Sequence, residues 1–167
     1  MKLRPELMPP VLDEALVSRL AELAARIDGA NPGQWEDDLH EFNRLAGTSI
    51  AFEEFQSIYG GEEHENYVRR LLYYKLVKPA PCATRAELAE VVRRAMPQNE
   101  FFEQHEAYAV VFDANVPLAK ASNLIFYPAD YDPATNTWDG GRPIVEYNPT
   151  PEQIVEWALA AGYSGDR

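Results

Sequence analysis

Ser122-Asn123-Leu124-Ile125-Phe126-Tyr127-Pro128 is the stretch on which the fold turns. Leu124 to Tyr127 is too short for an ordinary helix, and a proline closes it. Neighbouring side chains diverge by about 100° in a helical turn and about 180° in a strand, so four large apolar groups in a row cannot all face one core. Part of the cluster is therefore expected to face outward. The acidic loop from Asp130 to Asp139 follows directly, and an exposed Phe-Tyr pair rimmed by carboxylates has the make-up of a protein-binding hot spot, because aromatic rings bury much area at small entropic cost. The competing expectation is a buried strand over Leu124–Tyr127, paired with Ile144–Tyr147 across the intervening loop.

Working outward, Thr150 and Pro151 open a helix whose Ile154, Val155, Ala158 and Leu159 face a core and which Gly162 stops. Residues 129–142 read as a long loop with a small hairpin ending near Tyr147. Before the cluster, Asn99 is placed to cap a helix from Glu100 to Asn115, with Phe101, Tyr108, Val111 and Phe112 on its apolar positions; a strand over Tyr108–Phe112 fits less well with the flanking acids. Thr84, three residues before Glu87, caps a helix to about Met96 with the stripe Leu88, Val91, Val92 and Ala95.

Pro79-Ala80-Pro81 is the clearest internal boundary, since proline neither donates the helical hydrogen bond nor lets its predecessor stay helical. It divides an N-terminal helical region, residues 1–80, from a C-terminal part, residues 82–167. In the first region the patterns predict helices over Val11–Asp28, Trp35–Ala46, Phe52–Tyr59 and His64–Val77, with stops at Gly29, Gly47 and Gly60-Gly61. The fold class expected is all-α.

The chain has 167 residues and a formal net charge of −12. That charge argues against direct binding of nucleic acid, which rests on Lys and Arg neutralising phosphates, and suits a basic partner. No apolar run approaches the roughly 20 residues that cross a bilayer, and the first residues lack a signal-peptide pattern. With Cys82 as the single cysteine, the expectation is a cytoplasmic protein without disulfides.

Thr84-Arg85-Ala86-Glu87-Leu88, the Phe112-Asp113 pair, the run Ser122 to Pro128, Pro151-Glu152-Gln153-Ile154-Val155 and Ala160-Ala161-Gly162 together resemble, in type and order, the small nuclease-immunity proteins of the colicin and pyocin family. The likeness spans about half the chain. It implies a distorted four-helix bundle whose third helix is one short turn, carrying the family's Asp-Leu-Ile-Tyr-Tyr-Pro motif. It also implies the function: an immunity protein that inhibits a bacteriocin-type nuclease toxin by binding the toxin's basic nuclease domain beside the active site and blocking nucleic acid by position and charge. No catalytic residue, metal or cofactor of its own is implied. Phe126 and Tyr127 would be the aromatic anchors, with Ser122 and Asn123 leading into them and Asn123 standing where the family has an aspartate. Asp113 would take the place of an interface glutamate, on a helix face that here offers Glu103, Glu106, Ala109 and Val110. Phe126 lacks the family's hydroxyl, and the loop over residues 129–150 is longer, so that Trp138 is either a further contact or a lid. The first 80 residues have no counterpart in the family's small members.

Two other functions are weighed. An acidic helical adaptor or regulator would keep the bundle and bind some other protein. A metal-dependent enzyme would draw on Glu36 and His40, one helical turn apart, or on Glu62-Glu63-His64-Glu65. The paired Glu-x-x-His motifs of di-iron bundles do not occur, and there is no phosphate loop, Gly-x-Gly-x-x-Gly or Cys-x-x-Cys. His105 reads as an exposed helix residue and Cys82 as an incidental thiol. Nothing in the sequence requires catalysis.

Overall fold

The computed structural model describes residues 1–31, 33–56, 63–97, 100 and 104–161. The chain is all-α: among the described residues it has seven α-helices and one two-stranded hairpin. It divides into two compact units, Pro10–Leu76 on the one hand and Met1–Pro9 with Val77–Arg167 on the other.

In the first unit, helix α1 spans Glu14–Asp28, α2 Glu36–Ala46, α3 Phe52–Gln56 and α4 His64–Leu76. Helix α1 begins three residues later than the apolar pattern suggests, because Asp13 is the N-cap: its Oδ1 accepts hydrogen bonds from the Ala15 amide at 3.0 Å and the Leu16 amide at 3.3 Å. Val11 is left outside the helix, exposed. Gly47 ends α2 with φ +63°, a left-handed C-terminal cap that suits glycine. Leu20, Leu23, Ile27, Phe42, Phe55 and Val68 are fully buried together. The expected stops at Gly60-Gly61, the Asn99 cap, Phe101 and the Gly162 stop lie outside the described residues.

The second unit holds α5 (Arg85–Ala95), α6 (His105–Ala114), a one-turn 3-10 helix (Ala121–Ile125) and α7 (Pro151–Ala160). This is the predicted bundle with a single short turn in third place. The predicted Thr84–Glu87 capping box forms, and the predicted Thr150 cap proves to be a second box. Thr84 Oγ1 accepts from the Glu87 amide while Glu87 Oε2 accepts from the Thr84 amide at 2.8 Å, and Thr150 pairs with Gln153 in the same reciprocal way. Helix α6 starts at His105, not at Glu100, which lies in a turn.

Residues 1–80 were expected to form one region, but Met1–Pro9 belongs to the C-terminal unit. Leu3 and Leu7 enter the same core as Leu88, Val92, Tyr108 and Phe112. The charges that secure this strap are themselves buried. Arg94 donates to Glu90 Oε1 at 2.8 Å, to the Tyr108 hydroxyl at 3.0 Å and to the Met1 carbonyl at 3.1 Å. Hydrogen bonds from Arg93, with Arg94 adding and burial opposing, hold the Glu90 carboxyl at about 2, below its ordinary 4.5.

Candidate functional site

Asp113, at the end of α6, sets the geometry of the central turn. One carboxylate oxygen accepts from the Ser122 amide at 2.7 Å and the other from the Ser122 hydroxyl at 2.9 Å, so the 3-10 helix starts on a fixed anchor. Lys120, with φ 54°, makes the left-handed bend that brings the chain round to it. A 3-10 turn rotates each residue by about 120°, which separates the four large side chains. Leu124 and Ile125 go into the core, whereas Phe126 and Tyr127 remain 46% and 50% exposed. The buried-strand expectation is therefore corrected: Leu124 and Ile125 are helical, and Ile144–Glu146 is a second 3-10 turn, not a strand partner. Backbone bonds from the amides of Phe126 and Tyr127 to the Asn123 carbonyl, at 3.0 and 2.9 Å, hold both rings at the exit of the turn.

The structure deals unevenly with the other predicted contacts. Asn123 and Glu106 are exposed, Ala109, Ser122 and Asp113 are half-buried, and Glu103 lies outside the described residues. Val110 was expected on the outward face and is buried. Helix α6 is covered on the side of Ala107, Tyr108, Val110, Val111 and Phe112, an arc of about 200° at 100° per residue, where an ordinary amphipathic helix covers little more than half as much. The outward strip is narrow and runs through Glu106, Ala109 and Asp113. Since Asp113 is spent on Ser122, its role is to position the turn. Asp113→Ala is expected to cost about 2 kcal/mol, for the loss of two charge-assisted bonds from a half-buried site. Urea unfolding checks this: the midpoint falls with an unchanged slope.

The long loop is ordered by its own polar groups. Asp132 Oδ1 accepts from the Ala134 amide and Oδ2 from the Thr135 hydroxyl, both at 2.9 Å, which also lowers the Asp132 pKa. Strands β1 (Thr137–Trp138) and β2 (Arg142–Pro143) then pair antiparallel, joined through Gly140 and Gly141, both at positive φ. This hairpin brings Trp138 against Tyr147, ring centroids 5.2 Å apart at 77°, and Tyr147 stacks on Trp157 of α7 at 6.4 Å. Tyr147 donates its hydroxyl to the Leu124 carbonyl at 2.5 Å. Burial, with the Asp130 charge adding, pushes its pKa up to about 12, so it stays a donor through neutral pH. Tyr131 packs on Tyr127, centroids 4.8 Å apart. Trp138 thus packs on Tyr147 as one wall of a second aromatic group beside the first.

Between Leu124, Pro128, Trp138 and Trp157 lies a cavity of about 460 Å³ whose polar lining is Asp130 and Asp139. Trp157, Tyr131 and Tyr147 were not singled out from the sequence as contacts. A signal existed for Trp157: it falls off the Ile154, Val155, Ala158 stripe, on the side of the polar Gln153 and Glu156.

Of the proposed metal donors, Glu62 lies outside the described residues. His64 Nε2 is 2.9 Å from Asp28 Oδ2, Glu36 and His40 are exposed, and among the described residues no three His, Cys, Asp or Glu side chains form a ligand group. No helix among the described residues is long and apolar enough to cross a membrane. Compared with known protein families, curated proteins and solved structures, the chain finds no match.

Proposed function

We propose that the C-terminal unit is a stoichiometric protein inhibitor of the immunity type, which captures a basic nuclease domain in the cytoplasm through Phe126, Tyr127 and the acidic surface around them. The observation that carries this reading is the pair of half-exposed aromatic rings held at the exit of a one-turn helix that Asp113 anchors from below. Exposed rings on a rigid support lose little entropy on docking, and rings at the centre of an interface typically contribute about 2 kcal/mol or more each. Asp130, Asp132, Asp139 and Glu146 lie close by in sequence, all exposed, in a chain of net charge −12. That field selects a basic partner and accelerates the encounter. The motif order that resembles the nuclease-immunity family supports the same partner class.

The test is the product of the reading frame beside the gene, where that product is a basic nuclease, mixed with the full chain in stopped flow. The association rate constant is expected to fall at least about tenfold between 0.01 M and 0.15 M salt, as the screening length shrinks from about 30 Å to about 8 Å. The dissociation rate should change less, because the aromatic anchors are not screened. A salt-independent association, or no association, speaks against this function; association with an unrelated, non-nuclease protein would favour an adaptor.

A further inference from the structure

We propose that the cavity between Trp138 and Trp157 is an arginine pocket, which receives one guanidinium side chain of the bound basic protein. This rests on the protein-binding reading above and names the partner's chemistry at a place apart from Phe126 and Tyr127. The cavity, about 460 Å³, is within the size range of ligand sites, and Trp138, Trp157, Leu124 and Pro128 line it together with Asp130 and Asp139, its two acidic residues. That combination suits a flat, weakly hydrated cation that stacks on a ring while its in-plane N–H groups reach carboxylates. A compact metal ion would need several converging oxygens, which two carboxylates in an apolar cavity do not supply.

The chain displays the recognition itself. Its own Arg142 places Cζ 4.6 Å from the centre of the Trp138 ring, with Nη1 3.5 Å from Asp139 and Nε 3.6 Å from Glu146. A guanidinium over an indole beside a carboxylate is thus already present on this hairpin. Across the cavity, Trp157 and Asp130 offer a second indole and a second carboxylate. Trp157 is 41% exposed, and Asp130 holds the Asp139 amide, at 2.8 Å, with one oxygen only. Trp157 stacks on Tyr147, and the Asp139 amide donates to Asp130.

The experiment titrates the full chain with N-acetyl-arginine amide at constant ionic strength and follows the indole N–H signals by NMR. The chain has three tryptophans, and Trp35, stacked on Phe52 in the other unit, is the internal control. The signals of Trp138 and Trp157 are expected to move saturably while that of Trp35 stays still. Affinity should fall about tenfold in Trp157→Ala, the scale of a partly desolvated cation–π contact, and clearly in Asp130→Asn, which keeps the shape where the larger truncation disturbs folding. The citrulline analogue, equal in shape and uncharged, should not bind. Equal binding of the citrulline or lysine analogue, or the absence of a saturable shift, overturns the pocket. Nuclease capture that persists without an arginine response leaves the function standing and removes only the pocket; an arginine response without capture does the reverse.

Discussion

Phe126→Ala combined with Tyr127→Ala is expected to weaken capture of a basic nuclease domain by roughly a hundredfold to a thousandfold, while the protein remains folded. The size follows from two central aromatics at about 2 kcal/mol each, discounted because neighbouring hot spots do not add. Survival of the fold follows from exposure. About half of each ring already faces solvent, and the core beneath them is filled by Leu124 and Ile125, which the substitutions leave alone. The turn itself is held by Asp113, Ser122 and backbone bonds that do not involve either ring. The main intramolecular loss is the Tyr127–Tyr131 contact. Together the truncations should cost about 1–2 kcal/mol of stability, a few degrees in Tm for a chain of this length. Calorimetry of binding and of unfolding on the same two samples separates the effects.

Arg94→Ala is expected to cost about 3 kcal/mol of stability, because it takes a donor from the Tyr108 hydroxyl and the Met1 carbonyl at once, while Glu90 keeps its two bonds from Arg93. Tyr108 is fully buried, so its hydroxyl has no easy route to water. Replacing both charges by apolar residues of similar volume, Glu90→Leu with Arg94→Met, should be far milder than the sum of the two single changes, since no buried charge is left unpaired. Urea unfolding of the four proteins closes the cycle; simple additivity would mean that the pair is not coupled. The Glu90 carboxyl, held by Arg93 first and Arg94 second, gives a pH signature. Glu90 titrates at about 2 when folded, against an ordinary 4.5. Its contribution is therefore complete above the ordinary value and is lost as pH falls from there through the folded one.

Local signals were legible where one residue type has one structural use. Thr84 with Glu87, and Thr150 with Pro151, place two helix starts to the residue, and Gly47 places a stop. The composition of Leu124 to Tyr127 already demanded that some of it face out, and the structure divides it two and two. What the sequence hid was non-local. Leu3 and Leu7 read as scattered apolar residues, because their partners on α5 and α6 lie far along the chain, and Arg94 reads as a surface residue until it meets Tyr108 and Met1. Val110 was misplaced because a two-sided helix was assumed for α6, which is covered over most of its circumference. The second aromatic group depends on a hairpin and a later helix meeting beside Leu124; no periodicity announces such a meeting.

The most direct measurement is affinity capture from the native host with the wild-type chain and with the Phe126→Ala, Tyr127→Ala variant, followed by mass spectrometry and a nuclease assay on each eluate. Inhibition by the Phe126–Tyr127 surface predicts that the wild type retains a basic nuclease and suppresses its cleavage, and that the folded variant loses both. Retention of the same proteins by both samples, or the absence of any nuclease from the wild-type eluate, would contradict it and would leave the function of this bundle elsewhere on its surface.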